Sequence, residues 1–181
     1  MAGSFVSPFQ GSSLKRSDRP GPKGPDKELI EAAQPVIEKL VTDFPQVRFI
    51  FQQFPLPASL HPWAMKAAQY ADCAGKTSND GFWKYVNAIF ENQGGIAQAT
   101  ADDKLKELAT AAGFDAAKLA ACAATPETDA RVKKSMDLGQ SLEVNSTPTV
   151  FINGRRVQAI ANIPYDQLKM LVQFEVDHAG K

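Results

Sequence analysis

The sequence has few of the residues that build metal sites, and its charges of opposite sign are equal in number. Its 181 residues include two cysteines and two histidines, too few to complete a protein metal centre. Lysine plus arginine and aspartate plus glutamate each number 20, so the formal net charge is zero. A neutral chain gives no electrostatic reason to bind nucleic acid or an anionic membrane. We therefore expect no metal, no cofactor and no nucleic-acid partner.

Long apolar runs and paired cysteines are also missing. No apolar run approaches the roughly 20 residues that a membrane-spanning helix requires. The first ten residues lack the basic and apolar regions of a secretory signal, so an exported protein with this sequence would be a mature or trimmed form. Cys73 and Cys122 are far apart, and no Cys-x-x-Cys occurs. A redox dithiol built from neighbouring cysteines is therefore excluded.

What is present indicates one globular domain behind an N-terminal tail. Apolar residues make up 44% of the chain and charged residues 22%, as in soluble globular proteins. Residues 1–26 are rich in proline, glycine and serine, which favours a flexible tail over regular structure. Residues 27–181 are long enough to bury a core of their own.

The hydrophobic periodicity after the tail predicts an α/β protein. Strands are predicted at 47–51, 149–152 and 155–158. Helices are predicted at 32–44, 65–74, 79–90, 102–112, 115–123, 126–142 and 164–178. The order is one strand, several helices, two strands and a last helix, so the helices form one block between the strands.

A Thr-Pro pair before the second predicted strand is the most informative short motif. Proline cannot donate to a sheet ladder, so Pro148 must lie at the first residue of the strand or at an edge, and it is a candidate for the cis isomer. Asn153 and Gly154 then predict a tight hairpin turn into the next strand.

Several short motifs occur along residues 32–176: Phe54-Pro-Leu56, His61-Pro62, Phe82-Trp83, Thr147-Pro148-Thr149 and Asn153-Gly154. Together they resemble the DsbA-like family of thioredoxin-fold oxidoreductases. The resemblance implies an α/β thioredoxin-like fold with an inserted all-helical subdomain at about 60–142.

The resemblance implies a thiol–disulfide oxidoreductase that acts outside the cytoplasm, in the periplasm or cell envelope, on cysteines of exported proteins. The partner would be an extended polypeptide or a partner protein, held at Thr147 and Pro148. A membrane tether upstream of residue 1 is a further expectation. Some DsbA-like proteins carry a structural disulfide in the helical region, which Cys73 and Cys122 would form here. Two buried free thiols and a chemical role for either cysteine are the alternatives.

The dithiol of the family is missing from this chain. The family places Cys-Pro-x-Cys after its first strand, where a helix N-terminus lowers the pKa of the first thiol. An ungapped count puts Lys27 and Ile30 at the two thiol positions. In our preferred alignment, roughly ten residues are absent between Glu31 and Ala32, which would cut the first strand short. The chain as written is therefore predicted to have no catalytic residues and to be redox-inactive.

Two other functions remain as hypotheses. The first is a non-catalytic module that binds a peptide or protein in the cis-proline groove by strand addition. The second is a DsbA-like glutathione transferase with a serine at the helix start, which fits poorly because no serine or threonine lies between Lys27 and Pro35. His61 is interpreted as a capping or packing residue, and Asp102 as a solvated helix start.

Overall fold

The computed structural model describes residues 4–6, 36–37, 39–157 and 160–178. The described residues fall into two compact units. Residues 53–143 form one, which we call the helical unit. The described residues before 53 and after 143 form the other, which we call the sheet unit. The helical insertion predicted at about 60–142 lies within the first of these.

The sheet unit contains a four-stranded sheet. Its strands are β1 (Ser4–Val6), β2 (Arg48–Ile50), β3 (Val150–Ile152) and β4 (Arg155–Val157). They lie in the order β2-β1-β3-β4, with β1 parallel to β2 and antiparallel to β3. β3 and β4 form an antiparallel hairpin. β1 and β3 are therefore the interior strands of the described sheet.

Seven α-helices occur among the described residues. α1 covers 36–37 and 39–43. The others are α2 (Ala64–Thr77), α3 (Asn79–Asn92), α4 (Ala101–Ala111), α5 (Ala116–Ala123), α6 (Pro126–Ser141) and α7 (Tyr165–Asp177). None of the described helices is long and apolar enough to cross a membrane.

Each unit has its own hydrophobic core. In the sheet unit, α1 and α7 pack their apolar faces with β3, through Ile37, Leu40, Phe44, Val150, Ile152, Leu168 and Val172. In the helical unit, α2 to α5 supply the core, which includes Tyr70, Tyr85, Ile89, Leu105, Leu108 and Leu119. Because core apolar positions recur every three to four residues along a helix, the sequence pattern predicts these helices well.

Helix starts in the helical unit follow ordinary capping rules. The Ser78 hydroxyl accepts a hydrogen bond from the Gly81 amide, so the cap of α3 is Ser78 rather than Asn79 or Asp80. Asp115 caps α5 by accepting from two backbone amides. Thr125 caps α6, with proline in its first turn. Each cap satisfies amides that the helix itself leaves unpaired.

The first strand is the main difference between prediction and structure. β1 lies inside the segment 1–26 that was predicted to be a flexible tail, so that prediction does not hold for Ser4–Val6. Residues 7–26 lie outside the described residues. The segment at Glu31, where a first strand cut short was predicted, also lies outside the described residues. The strand that the structure places between β2 and β3 is Ser4–Val6.

Hydrophobic periodicity suggests that Leu138 and Leu142 continue the apolar stripe of Val132 on α6, and Leu171 that of Val172 on α7, but the three leucines are exposed. Leu138 and Leu142 lie at the C-terminal end of α6, and Leu171 lies one residue from the buried Val172. Periodicity gives the direction of a stripe but not its width, which is set by the neighbouring elements.

Candidate functional site

The Thr147–Pro148 loop leads from the surface into the core of the sheet unit. Its peptide bond is cis. Ser146 is exposed, Thr147 and Pro148 are half-buried, and Thr149 is buried. The Thr149 hydroxyl donates a 2.6 Å hydrogen bond to the Ser146 carbonyl oxygen. This bond closes the loop across the proline, so the backbone at Thr147 is held in one place beside the start of β3.

The register of β1 places its C-terminal end beside this loop. Val6, the last residue of β1, pairs with Phe151, and β1 runs antiparallel to β3. The C-terminal end of β1 and the Thr147–Pro148 loop therefore lie at the same end of the sheet. Residues 7–35 contain no cysteine. The thiol positions predicted at Lys27 and Ile30, and the gap predicted between Glu31 and Ala32, lie outside the described residues.

The hairpin that follows β3 is formed as predicted. Asn153 and Gly154 have φ angles of 48° and 83°. Positive φ at both central residues is the requirement of a type I′ turn, which matches the twist of the flanking strands. The Asn153 side-chain amide also donates to the Glu175 carboxylate at 2.7 Å. The turn thus fastens the β3–β4 hairpin to α7.

Asp43 links α1 to α7 through hydrogen bonds to both helices. Its carboxylate accepts hydrogen bonds from the Tyr165 hydroxyl at 2.5 Å, from Lys39 at 3.1 Å and from Lys169 at 3.2 Å. The Tyr165 bond, followed by the two lysine bonds, lowers the pKa of Asp43 to about 2. Burial and the bond to Asp43 raise the pKa of Tyr165 to about 12. Local sequence patterns could not predict this cluster, since Asp43 and Tyr165 are 122 residues apart.

Cys73 and Cys122 are bonded to each other in the helical unit, linking α2 to α5. Their Cα atoms are 6.1 Å apart, within the usual range for a disulfide. Cys73 is 2% exposed, and Cys122 is half-buried. The Thr128 hydroxyl lies 3.4 Å from the Cys73 sulfur. Both cysteines of the chain are thus in one disulfide, which lies in the helical unit and not in the sheet unit that carries the cis-proline loop.

Asp102 does more than start a helix. Its carboxylate accepts a hydrogen bond from the hydroxyl of buried Tyr70 at 2.8 Å and forms an ion pair with the Lys106 ammonium at 2.5 Å. The Lys106 bond and then the Tyr70 bond lower the pKa of Asp102 to about 2. Burial, followed by the bond to Asp102, raises the pKa of Tyr70. The interpretation of Asp102 as a merely solvated residue was incomplete, because Tyr70 lies 32 positions away and its approach could not be predicted.

His61 and Phe82 each pack against a neighbouring tryptophan. His61 packs edge-on against Trp63, with ring centroids 5.4 Å apart, as expected for a packing residue. Phe82 is buried and meets Trp83 edge-on at 4.8 Å. No group of three or more metal-ligand side chains occurs in the part of the chain that the structure describes.

Together, the cis-proline loop, the β3–β4 hairpin and the helices inserted between β2 and β3 define the class as a thioredoxin-like fold with an inserted helical subdomain. The family profile described as Thioredoxin matches residues 29–173. The match covers most of the chain, so the chain belongs to the thioredoxin family. The predicted fold class and the predicted resemblance to DsbA-like proteins are confirmed.

Solved structures share the fold across nearly the whole chain. BdbD from Bacillus subtilis matches with a TM-score of 0.71 and 19% identity, covering 97% of this chain and 88% of its own. A thioredoxin-like oxidoreductase from Silicibacter pomeroyi matches with a TM-score of 0.68 and 20% identity, covering 97% of this chain and 87% of its own. DsbA from Mycobacterium tuberculosis matches with a TM-score of 0.65 and 20% identity, covering 96% of this chain and 82% of its own. At these identities the likeness shows the fold alone.

Curated relatives are much longer than this chain. The Na(+)/H(+) antiporter NhaA 1 of Salinispora arenicola is 30% identical over 131 residues, which are 72% of this chain and 19% of the relative. NhaA 3 of Salinispora tropica is 28% identical with the same coverages. The chain therefore spans about a fifth of the length of these relatives.

Proposed function

We propose that this domain binds extended polypeptide at the Thr147–Pro148 loop without thiol–disulfide exchange there. The observation that carries the proposal is the location of the sulfur atoms. The fold is that of DsbA-like thiol–disulfide oxidoreductases, but the only two cysteines are bonded to each other in the helical unit. Because both sulfurs are in that bond, the chain has no free thiol with which to form a mixed disulfide to a bound peptide.

The shape of the loop supports polypeptide binding by backbone pairing. Thr147 and Pro148 are half-buried beside exposed Ser146, while Thr149 and β3 behind them are buried and fixed. A backbone held in place near the surface can pair with an extended peptide, and it gains affinity because little conformational freedom is lost on binding. A partner of this kind need not contain cysteine. The substrate class is therefore extended polypeptide in general.

The setting of the domain belongs to the same proposal. The Cys73–Cys122 disulfide favours an oxidising compartment outside the cytoplasm. The relatives named as Na(+)/H(+) antiporters contain a matching segment within much longer chains. We infer that this domain works as one part of a larger assembly at the cell envelope, which agrees with the expected membrane tether upstream of residue 1.

A cysteine-blocked peptide tests the binding claim. Fluorescence anisotropy with S-carbamidomethylated insulin B chain should show saturable binding, because no thiol is needed. Thr147→Trp places a bulky side chain on the loop and should weaken binding at least about tenfold, the effect of losing a small part of a peptide interface. Gln167→Trp, on the exposed face of α7, is the matched control and should leave the affinity unchanged. Equal affinity for both variants would disprove binding at the loop.

An insulin-reduction assay tests the absence of exchange. With dithiothreitol as reductant, the domain should not accelerate insulin precipitation above the rate without protein. Acceleration that disappears in Thr147→Trp would show exchange at the loop and contradict the proposal. Acceleration that persists in Thr147→Trp but disappears in Cys122→Ser would place catalysis at the disulfide and contradict the expected inactivity towards insulin.

A further inference from the structure

The polar surroundings of the Cys73–Cys122 disulfide are unusual for a bond in a helical core. Thr128, which is fully buried, places its hydroxyl oxygen 3.4 Å from the Cys73 sulfur and 3.8 Å from the Cys122 sulfur. Arg131 donates to the same hydroxyl oxygen at 2.6 Å. From these geometries we propose that the disulfide is a thiol-exchange site for small thiols, with Cys122 as the attacked sulfur and Cys73 as the leaving thiolate.

The exposure of the two sulfurs decides the direction of attack. Cys73 is 2% exposed, whereas Cys122, near the end of α5, is half-buried. An incoming thiolate must approach along the disulfide axis, so it reaches the sulfur of Cys122 and pushes electrons onto Cys73. The limited opening admits a small thiol more readily than a polypeptide, so the proposal is compatible with an inactive domain in the insulin assay.

Thr128 is arranged to stabilise the leaving thiolate. Its oxygen accepts a hydrogen bond from Arg131. It also lies 3.1 Å from the Thr125 hydroxyl, whose single proton can be donated either to Thr128 or to the Cys122 carbonyl oxygen at 2.9 Å. The single proton of the Thr128 hydroxyl is donated to the Cys122 carbonyl oxygen at 3.0 Å in the disulfide state. Rotation of this proton towards Cys73 gives a charge-assisted hydrogen bond to the thiolate. A hydroxyl polarised by a guanidinium is a stronger donor than an isolated one.

The positive charge of Arg131 also stabilises a thiolate on Cys73, though less strongly than the Thr128 hydroxyl does. The 2.6 Å and 3.4 Å contacts place the Arg131 guanidinium within about 6 Å of the Cys73 sulfur. Arg131 also donates to the Asp72 carboxylate at 2.9 and 2.6 Å, which offsets much of its positive charge and orients it. The hydroxyl donor is therefore the main stabilising group, and Arg131 is a positioning residue. Stabilising the reduced form makes a disulfide easier to reduce.

The chemical step balances with two equivalents of a monothiol such as glutathione. The first thiolate forms a bond to the Cys122 sulfur, the Cys73–Cys122 bond breaks, and the electron pair leaves on Cys73. The second thiolate attacks the glutathione sulfur of the mixed disulfide and releases Cys122 as a thiolate with oxidised glutathione. Two thiols are oxidised and one protein disulfide is reduced. Each cysteine then takes a proton from water according to its pKa.

A redox titration tests the assignment of Thr128. Equilibration in glutathione buffers, followed by alkylation and mass spectrometry, measures the equilibrium constant for reduction. Thr128→Val should make the disulfide about tenfold harder to reduce, since it removes a hydrogen bond to a charged group. Thr128→Ser keeps the hydroxyl and should restore the wild-type value. If the Thr128→Val and Thr128→Ser variants both match the wild type, or both shift the equilibrium constant for reduction equally, the Thr128 hydroxyl does not stabilise the thiolate and the proposal fails.

Trapping of the mixed disulfide tests the direction of attack. With oxidised glutathione, Cys73→Ser should form a glutathione adduct at Cys122 at least about tenfold faster than Cys122→Ser forms one at Cys73, because Cys122 is the more exposed of the two residues. Thermal melting identifies which variants are folded under the assay conditions. Equal rates, or faster reaction at Cys73, in folded variants would overturn the assignment.

Discussion

At the scale of single residues, Gly139 on α6 shows how closely the helical unit is packed. A Cβ atom at this position would lie 2.5 Å from Cδ2 and 2.6 Å from Cε2 of Phe54. Glycine in a helix normally costs about 1 kcal/mol relative to alanine. Here the absence of a side chain allows the Phe54 ring to lie on the helix, and that packing offsets the lost propensity.

Gly139→Ala should therefore destabilise the protein by about 1 to 2 kcal/mol, because the overpacking cost exceeds the gain in helix propensity. Urea denaturation followed by circular dichroism measures the difference. Gly94→Ala is the matched control, since a Cβ there meets nothing within 4 Å; it should be neutral or slightly stabilising. If Gly139→Ala is as stable as Gly94→Ala, the Phe54 contact is not tight.

At the scale of elements, the Asp43 cluster explains how α1 is held against α7. One carboxylate accepts from Tyr165, Lys39 and Lys169, and the Lys39 ammonium also lies 4.1 Å from the centroid of the Tyr165 ring. Individual surface ion pairs contribute little. A carboxylate shared by three donors on two helices is better ordered than an isolated pair, because each donor restricts the others.

Acid should weaken this connection in a defined pH range. The pKa of Asp43 is about 2 in the fold and 3.8 ordinarily. Its ionised form therefore stabilises the fold above about pH 4, and this contribution is lost as the pH falls towards 2. Between pH 4 and 2, the free energy of unfolding should fall more steeply for the wild type than for Asp43→Asn. Chemical denaturation across this range measures both slopes, and identical slopes would show that Asp43 does not contribute.

Elements also show what sequence patterns can and cannot predict. The Asn153-Gly154 turn and the helix that begins at Pro126 were predictable, because their signals are local and chemical. β1 was not, since three residues beside a proline- and glycine-rich segment become a strand only by pairing with β2 and β3, far along the chain. The Asp43 and Thr128 clusters were missed for the same reason: their partners meet only in the folded protein.

At the scale of the whole molecule, the disulfide supports the helical unit by linking α2 to α5 covalently. The two cysteines are separated by 49 positions. Closing a loop of this length removes unfolded-state entropy equivalent to about 4 kcal/mol, and measured values are often smaller.

Reduction of Cys73–Cys122 should therefore lower the free energy of unfolding by about 2 to 4 kcal/mol. Urea denaturation with and without dithiothreitol measures the effect, with alkylation to confirm the free thiols. The Cys73→Ser/Cys122→Ser variant, which dithiothreitol cannot affect, is the control and should be insensitive to the reductant. A wild type that is equally stable with and without dithiothreitol would show that the disulfide does not stabilise the fold.

The central claim is that a thioredoxin-family domain without a dithiol keeps polypeptide binding at its cis-proline loop. Chemical-shift mapping by NMR tests this most directly, with the oxidised wild type and S-carbamidomethylated insulin B chain. Binding at the loop should give saturable shifts concentrated at Ser146, Thr147 and Thr149 and at the adjoining end of β3. Saturable binding that leaves these amides unmoved would contradict it, as would the absence of any shift at peptide concentrations of about 1 mM, where even a weak interface is occupied.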